Sequence, residues 1–280
     1  MPGYVLLLWD YDTAIGQINA TYPYNFHQEP ILQEIDNVET ILKLGANFSI
    51  SMTFACVGFA AEPGHYPYHV PEQIKRIYEA GHEVASHSWR HEWFPFLEEE
   101  QIRRSLVRSK QTIENCIGVP GSVKGFVPPF NRPMSWYRKG AVSLGDRAFG
   151  PGHPGANIGT LLKIVREAGY TWCRLTYSSL WSRVVKKFRK PQVGLKKWQT
   201  AYGIVIVPHH YCGFDEPALK LVDLAAEQEK AVVITGHPSG LSRMKEENLS
   251  HLRILLQRIA DHQARGKIES LTISEYARGQ

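Results

Sequence analysis

Apolar residues recur along this chain in two alternating rhythms. Short runs such as Val5–Trp9 and Ala231–Thr235 have strand length. Between such runs lie longer stretches with apolar positions at helical spacing. The pattern predicts strands over Tyr4–Trp9, Phe48–Cys56, His82–Ser86, Val123–Val127, Tyr170–Leu175, Gly203–Val207, Ala231–Thr235 and Lys267–Thr272. It predicts helices near Pro30–Leu44 and over Pro71–Ala80, Leu97–Ile117, Pro133–Leu144, Ile158–Ala168, Pro217–Glu227, Lys245–Ala264 and Ile273–Ala277. Glu79-Ala80-Gly81 and Glu167-Ala168-Gly169 read as helix stops, since glycine tolerates the left-handed cap. Strands separated by helices argue for parallel β-α units. So many units suggest a closed or nearly closed barrel of about seven strands, ahead of a doubly wound open sheet. No proline-rich or charged linker divides the chain, so residues 1–280 are read as one domain.

Composition narrows the classes. Hydrophobic residues make up 43% and charged residues 21%, which excludes intrinsic disorder, collagen and coiled coil. Lys and Arg number 32 against 27 Asp and Glu, a net charge of +5, too mild for a nucleic-acid binder. No apolar run approaches the roughly 18 residues of a membrane span. The start lacks a basic region and a small-residue cleavage site, so no signal peptide is expected. Cys56, Cys116, Cys173 and Cys212 lie far apart, as reduced core thiols would in a cytoplasmic protein.

The strand ends carry the chemistry, as barrel enzymes require. Asp10 and Asp12 end the first strand two residues apart and so face the same way. Two such close carboxylates repel unless a cation or proton intervenes; a solvated turn is the plainer alternative. His87 and His91, four apart, would face one way on a helical turn and could grip one metal ion. The alternative is a helix start capped by Ser88. His237 follows the apolar strand Ala231–Thr235, where it could protonate a leaving group or merely bond within a loop. His209 and His210 end another strand and are expected at the substrate rim, with a plain loop role as the alternative. Trp89, Trp93, Phe94 and Phe96 could line a sugar site or pack in the core. Gly150 to Gly155 matches a dinucleotide-binding pattern literally, but its two prolines suit a rigid loop.

Taken together, these residues resemble the NodB-homology polysaccharide deacetylases, carbohydrate esterase family 4. Trp9-Asp10-Tyr11-Asp12 is similar to the first family motif in its Asp-x-Asp form. His87-Ser88-Trp89-Arg90-His91 matches the second, with a typical run-up from Glu79 to Ser86. Thr53-Phe54 with Val57-Gly58, Phe126 to Phe130, and Ile234 to His237 resemble further motifs. The resemblance covers roughly residues 4 to 277. It implies a distorted, NodB-like (β/α) barrel and one divalent metal, usually zinc, with cobalt, nickel or iron as substitutes. It implies Asp12, His87 and His91 as metal ligands, Asp10 as general base, and His237 as the acid for the departing amine. The oxyanion would lie between the metal and the backbone N–H of Phe130, with Trp89 and Pro129 beside the substrate. A metal polarises the amide carbonyl and activates water, and an acid rescues the nitrogen.

Two departures stand out. The third motif normally carries an arginine where this chain has Val127; Arg132 and Arg174 are the candidate substitutes. The fourth motif normally supplies an acid for the last histidine, and Arg174 to Trp181 contains none. The expected activity is removal of an N-acetyl group from an amino sugar. Hydrolysis of another C–N amide, such as a formamide or ureide, and an impaired metal-containing carbohydrate-binding protein are the alternatives. With no export signal, a cytoplasmic site, peripheral to the inner membrane in the limit, and a nucleotide- or lipid-linked substrate are expected. The stretch from Arg183 to Lys197 is basic and contains no acid, so Arg189 and its neighbours could hold a phosphate; a solvated loop is the alternative.

Overall fold

In the computed structural model, residues 1–20, 24, 26–94, 97–131, 158–175 and 194–279 are described. Among these residues ten strands join one sheet. They are β1 (Gly3–Tyr11), β2 (Thr53–Cys56), β3 (Glu83–Ser86), β4 (Gly125–Phe126), β5 (Trp172–Arg174), β6 (Gln199–Ala201), β7 (Ile204–Val207), β8 (Tyr211–Cys212), β9 (Ala231–Gly236) and β10 (Ile268–Ser270). The order is β6-β7-β5-β4-β3-β2-β1-β9-β8, with β10 beside the first half of β1. Among the described residues, only β6 runs antiparallel, against β7. The helices are α1 (Thr13–Asn19), α2 (Gln28–Phe48), α3 (Pro71–Glu79), α4 (Glu99–Ile117), α5 (Ile158–Glu167), α6 (Glu216–Gln228), α7 (Leu249–Ala264) and α8 (Ile273–Ala277). This mostly parallel, curled sheet wrapped by helices is the expected distorted (β/α) barrel.

Alternation along the strands sorts side chains into two cores. Val5, Leu7, Trp9 and Tyr11 of β1 pack outward against the helices, with Phe54, Val84, Phe126, Cys173 and Val232. Leu6 and Leu8 point the other way. They join Ala55, Ala85, Val127, Trp172, Val207, Ala231 and Val233 in a small interior cluster that Ile273 of α8 also enters. Continuing that inward parity past each strand end gives Asp10 and Asp12, His87, Arg174, His209, and Thr235 with His237. The same two-residue period that fills the barrel therefore delivers its polar groups to one end.

Several boundaries differ from the sequence expectation. Phe48 ends α2, Ser49 turns left-handed at φ 53°, and β2 begins only at Thr53. The helix expected from Lys245 starts at Leu249, because the Asn248 side chain caps it by accepting from the His251 N–H. Helix α1 and strands β6 and β8 were too short to leave a periodic signal. Gly81 and Gly169, at φ 83° and 82°, do follow helices that end at Glu79 and Glu167. The expected helix Pro133–Leu144 and the Gly150–Gly155 loop lie outside the described residues. Among the described residues, no helix is long and apolar enough to cross a membrane.

Candidate metal and catalytic site

Asp12 Oδ1 stands 3.4 Å from His87 Nε2 and 3.2 Å from His91 Nε2. The two histidines do not share a helical turn as the spacing suggested. Residues 87–91 form a loop in which Ser88 and His91 both have positive φ, 69° and 58°. Such backbone persists only where its surroundings over-determine it. Here the Ser109 hydroxyl donates to Ser88 O at 2.9 Å, and the Trp89 N–H donates to Ser105 Oγ at 3.0 Å. The Asn19 amide of α1 holds Arg90 O at 2.6 Å, and the Gly58 and Phe59 N–H groups bond Ser88 O and Trp89 O. Helix α1 must come close: a Cβ on Gly16 would lie 2.9 Å from the Asp12 Cβ.

The donors fit a divalent ion. His87 Nδ1 lies 2.7 Å from Val127 O, so Nδ1 carries the proton and Nε2 turns its lone pair toward Asp12. Asp12 Oδ1 is buried and accepts no hydrogen bond. A lone pair aimed at a bare carboxylate oxygen calls for a cation between them. Ligand atoms at about 2.0–2.1 Å around a tetrahedral zinc stand about 3.3–3.4 Å apart, close to the two separations here.

Asp10 sits beside this trio, gripped by a buried arginine. Arg174 Nη1 and Nη2 donate to its two oxygens at 2.7 and 2.6 Å, and the arginine is fully buried. Burial pushes the Asp10 carboxyl up; Arg174, His87 and His237 together bring it below its ordinary value. Of the two arginines weighed for the Val127 departure, Arg174 makes the contact; Arg132 lies outside the described residues. Val127 instead fills the barrel interior.

His237 Nε2 lies 3.8 Å from Asp10 Oδ2. On its other side Nδ1 meets Glu247 Oε1 at 3.1 Å, and the His237 N–H donates to Glu247 Oε2 at 2.6 Å. Burial alone would lower the imidazole, but Cys212, Glu247 and Asp10 raise it well above its ordinary value. Glu247 thus supplies the acid absent from the stretch after Arg174. Reading it as helix surface hid it; the Asn248 cap was the signal that would have placed it before the helix.

A cavity of about 320 Å³ opens here, lined by Asp10, Asp12, Ala20, His87, His91, Phe130 and His237. Phe130 adopts φ 65°, and its ring packs 4.3 Å from that of His91. Two larger hollows, of about 1000 and 820 Å³, lie elsewhere and hold none of these groups. Trp89 is buried under the Arg108 guanidinium, 3.9 Å from its ring, and does not line the cavity; nor does the buried Pro129. Trp93 and Phe94 are buried too, and Phe94 stacks on Phe126. His209 Nε2 bonds the Thr235 hydroxyl at 2.8 Å, and burial with nearby Arg174 and Lys196 pushes its imidazole down to about 3. His210 Nδ1 accepts from the Val233 N–H at 3.0 Å, a backbone contact away from the cavity. Phe96, Arg189 and most of the basic stretch, 183–193, lie outside the described residues.

Residues 26–148 match the polysaccharide deacetylase family. No curated protein matches the sequence. Among solved structures, one from Mycobacterium smegmatis, assigned as a polysaccharide deacetylase, is 19% identical with a TM-score of 0.66, covering 99% of this chain and 89% of its own. Puue allantoinase is 16% identical with a TM-score of 0.64, over 98% of this chain and 89% of that one. A protein of Pseudomonas aeruginosa PAO1, also assigned as a polysaccharide deacetylase, is 14% identical with a TM-score of 0.61, at 98% and 89% coverage. Segment match and fold agree: residues 26–148 match the polysaccharide deacetylase family, and the chain as a whole shares the (β/α) barrel fold of these structures.

Proposed function

We propose that this protein is a metal-dependent hydrolase that removes an N-acetyl group from an amino sugar. The observation that carries the reading is a pair of opposed charge states in one cavity. Asp10 is held ionised by Arg174, and His237 is held protonated by Glu247, beside three convergent metal donors. Two titratable groups pushed in opposite directions are an acid–base assignment.

Asp12, His87 and His91 are the residues that would hold the ion. When bound, a divalent ion there supplies a polarised carbonyl and a more acidic water. Asp10 takes the proton of the attacking water through the carboxylate that Arg174 orients. The Phe130 N–H donates to the carbonyl oxygen as charge grows on it. His237 gives its Nε2 proton to the departing nitrogen, and Glu247 stabilises the imidazolium from behind. Arg174 and Glu247 stand where a missing arginine and acid gave reason to expect impairment, so turnover is the favoured reading. We assign the substrate to nucleotide- or lipid-linked N-acetylated sugars, with zinc the preferred ion.

One observation favours a second reading, hydrolysis of a formamide or cyclic ureide: Puue allantoinase overlaps this chain at a TM-score of 0.64. A panel decides between them. Acetate release from N-acetylated sugars and their nucleotide derivatives is expected, with none of comparable rate from allantoin or formamides. The reverse ranking would overturn the deacetylase reading.

A further inference from the structure

We infer that Cys212, His237 and Glu247 form a second metal site for a thiophilic divalent ion, at the back of His237 and sharing no ligand with Asp12, His87 and His91. These are the two groups of three convergent donor residues among the described residues. Cys212 Sγ lies 3.2 Å from Glu247 Oε1 and 4.0 Å from His237 Nδ1, and Nδ1 lies 3.1 Å from that same carboxylate oxygen. Around a tetrahedral zinc, with Zn–S about 2.3 Å and Zn–N or Zn–O about 2.0–2.2 Å, sulfur would stand about 3.5 Å from each of the others, and nitrogen about 3.3 Å from oxygen. The observed triangle is within about 0.5 Å of that on every edge.

The elements explain the convergence. Strand β8 places Cys212 beside Thr235 of β9, and the short turn after β9 returns Glu247 to the His237 N–H. Glu247 is buried, while Cys212 and His237 are partly exposed, so an ion has a route in. A thiolate and a carboxylate balance a divalent charge. The donor types separate this site from the first: a sulfur ligand favours soft ions, while the oxygen-and-imidazole trio does not discriminate for them. Binding forms the metal–sulfur and metal–nitrogen bonds as the Cys212 thiol and the His237 Nδ1 give up their protons to solvent, so it weakens as pH falls, and the metal-bound state and the protonated His237 of the proposed reaction exclude each other.

The test is a cobalt(II) titration of the chelator-stripped, reduced full chain, followed by absorbance and by bound metal. Thiolate bound to cobalt gives a near-ultraviolet charge-transfer band that oxygen and imidazole ligands do not. The expected result is such a band in the wild type, saturating at one ion per chain, and lost in Cys212→Ser with one fewer ion bound. Glu247→Gln should keep the band but weaken it by more than the roughly 10–100-fold that outer partners contribute to affinity. His87→Ala should lose an ion and retain the band, so failure of the catalytic reading and failure of this one are distinguishable. Absence of the band at saturating cobalt in the wild type, or its persistence in Cys212→Ser, would overturn the site.

Discussion

Each end of the barrel interior holds a carboxyl group buried in a shell of donors, Glu83 at one and Asp10 at the other, and the two are built to opposite purposes. At the amino end Glu83 is surrounded by neutral donors. Thr53 Oγ1 reaches it at 2.8 Å, Trp172 Nε1 at 3.1 Å and the Ser274 N–H at 3.0 Å, with the Ser274 hydroxyl also in contact. At the carboxyl end Asp10 meets the Arg174 guanidinium. Burial raises both groups. Around Glu83 the neutral donors only partly offset it and the carboxyl stays raised; around Asp10 the Arg174 cation, with His87 and His237, overturns it. Four hydrogen bonds therefore make a plug that ties α8 to the barrel floor, while one cation makes a base. Burial and hydrogen bonding alone do not mark a functional carboxylate; the sign of its nearest charge does.

The sharpest break of this contrast removes the cation-binding face itself. His87→Ala and His91→Ala should each lose metal, by more than the roughly 10–100-fold in affinity that supporting residues contribute. Turnover should go with it, while Glu83 and its partners are untouched and the fold persists. Metal analysis beside circular dichroism checks both halves. Full occupancy in either variant would remove Asp12, His87 and His91 as the ligand set.

Asp10→Asn keeps the shape of the site and deletes the base. Metal content should hold, and kcat should fall by about 10²–10⁴-fold, the usual contribution of a general base. If the metal leaves as well, Asp10 is a ligand and the roles of the two aspartates need exchanging.

Arg174→Gln brings the carboxyl end closer to the amino end: a buried carboxyl without its two-pronged cation, left with His87 and His237 as its remaining charged neighbours. Removing one member of a buried ion pair costs about 3–5 kcal/mol, read as a lower denaturation midpoint. The pH dependence follows from the signs. Asp10 is lowered in the folded wild type, so its pairing stabilises above the unfolded carboxyl's pKa and is lost as pH falls through the folded value. In the variant burial is opposed by His87 and His237 without the arginine, and the carboxyl rises. The acid limb of kcat/KM should then move to higher pH, with activity recovering as pH increases. An unmoved limb would mean that Arg174 is structural and does not set the ionisation of Asp10.

How much of this was legible in the sequence follows the same physics. Strand bodies were readable because their interior and exterior faces are both apolar. Asp10, Asp12, His87, His91 and His237 were readable because they interrupt that apolarity at strand ends. Arg174 was harder: it ends Trp172-Cys173-Arg174, and only the inward parity of Trp172 shows that the arginine must enter the barrel. Glu247 was not seen, since a carboxylate ten residues past His237 reaches it only through the turn at Pro238–Ser242 and the early cap at Asn248. The spacing of His87 and His91 suggests a helical turn where the chain forms a loop, because a four-residue spacing cannot distinguish a helical turn from left-handed backbone at Ser88 and His91. Local periodicity is written in sequence; long-range charge pairing is written only in the packing.

The mildest change tests the amino end. Glu83→Gln keeps the length of the side chain, and its amide can still donate to the Ser274 hydroxyl and accept from Thr53. Turnover should stay near wild type, since nothing at the floor of the barrel touches the cavity around Asp10. Stability should report the opposite sign from Arg174→Gln. Glu83 is raised in the folded state, so between the unfolded carboxyl's pKa and the folded one the native protein binds more protons than the unfolded chain. Stability from this group therefore declines as pH rises through that window. The glutamine variant has no such titration, and its midpoint, measured by urea denaturation across that range, should lose the decline. A wild-type and a variant with parallel pH profiles would mean that Glu83 keeps an ordinary carboxyl, and that the two ends of the barrel differ only in their neighbours and not in their charge.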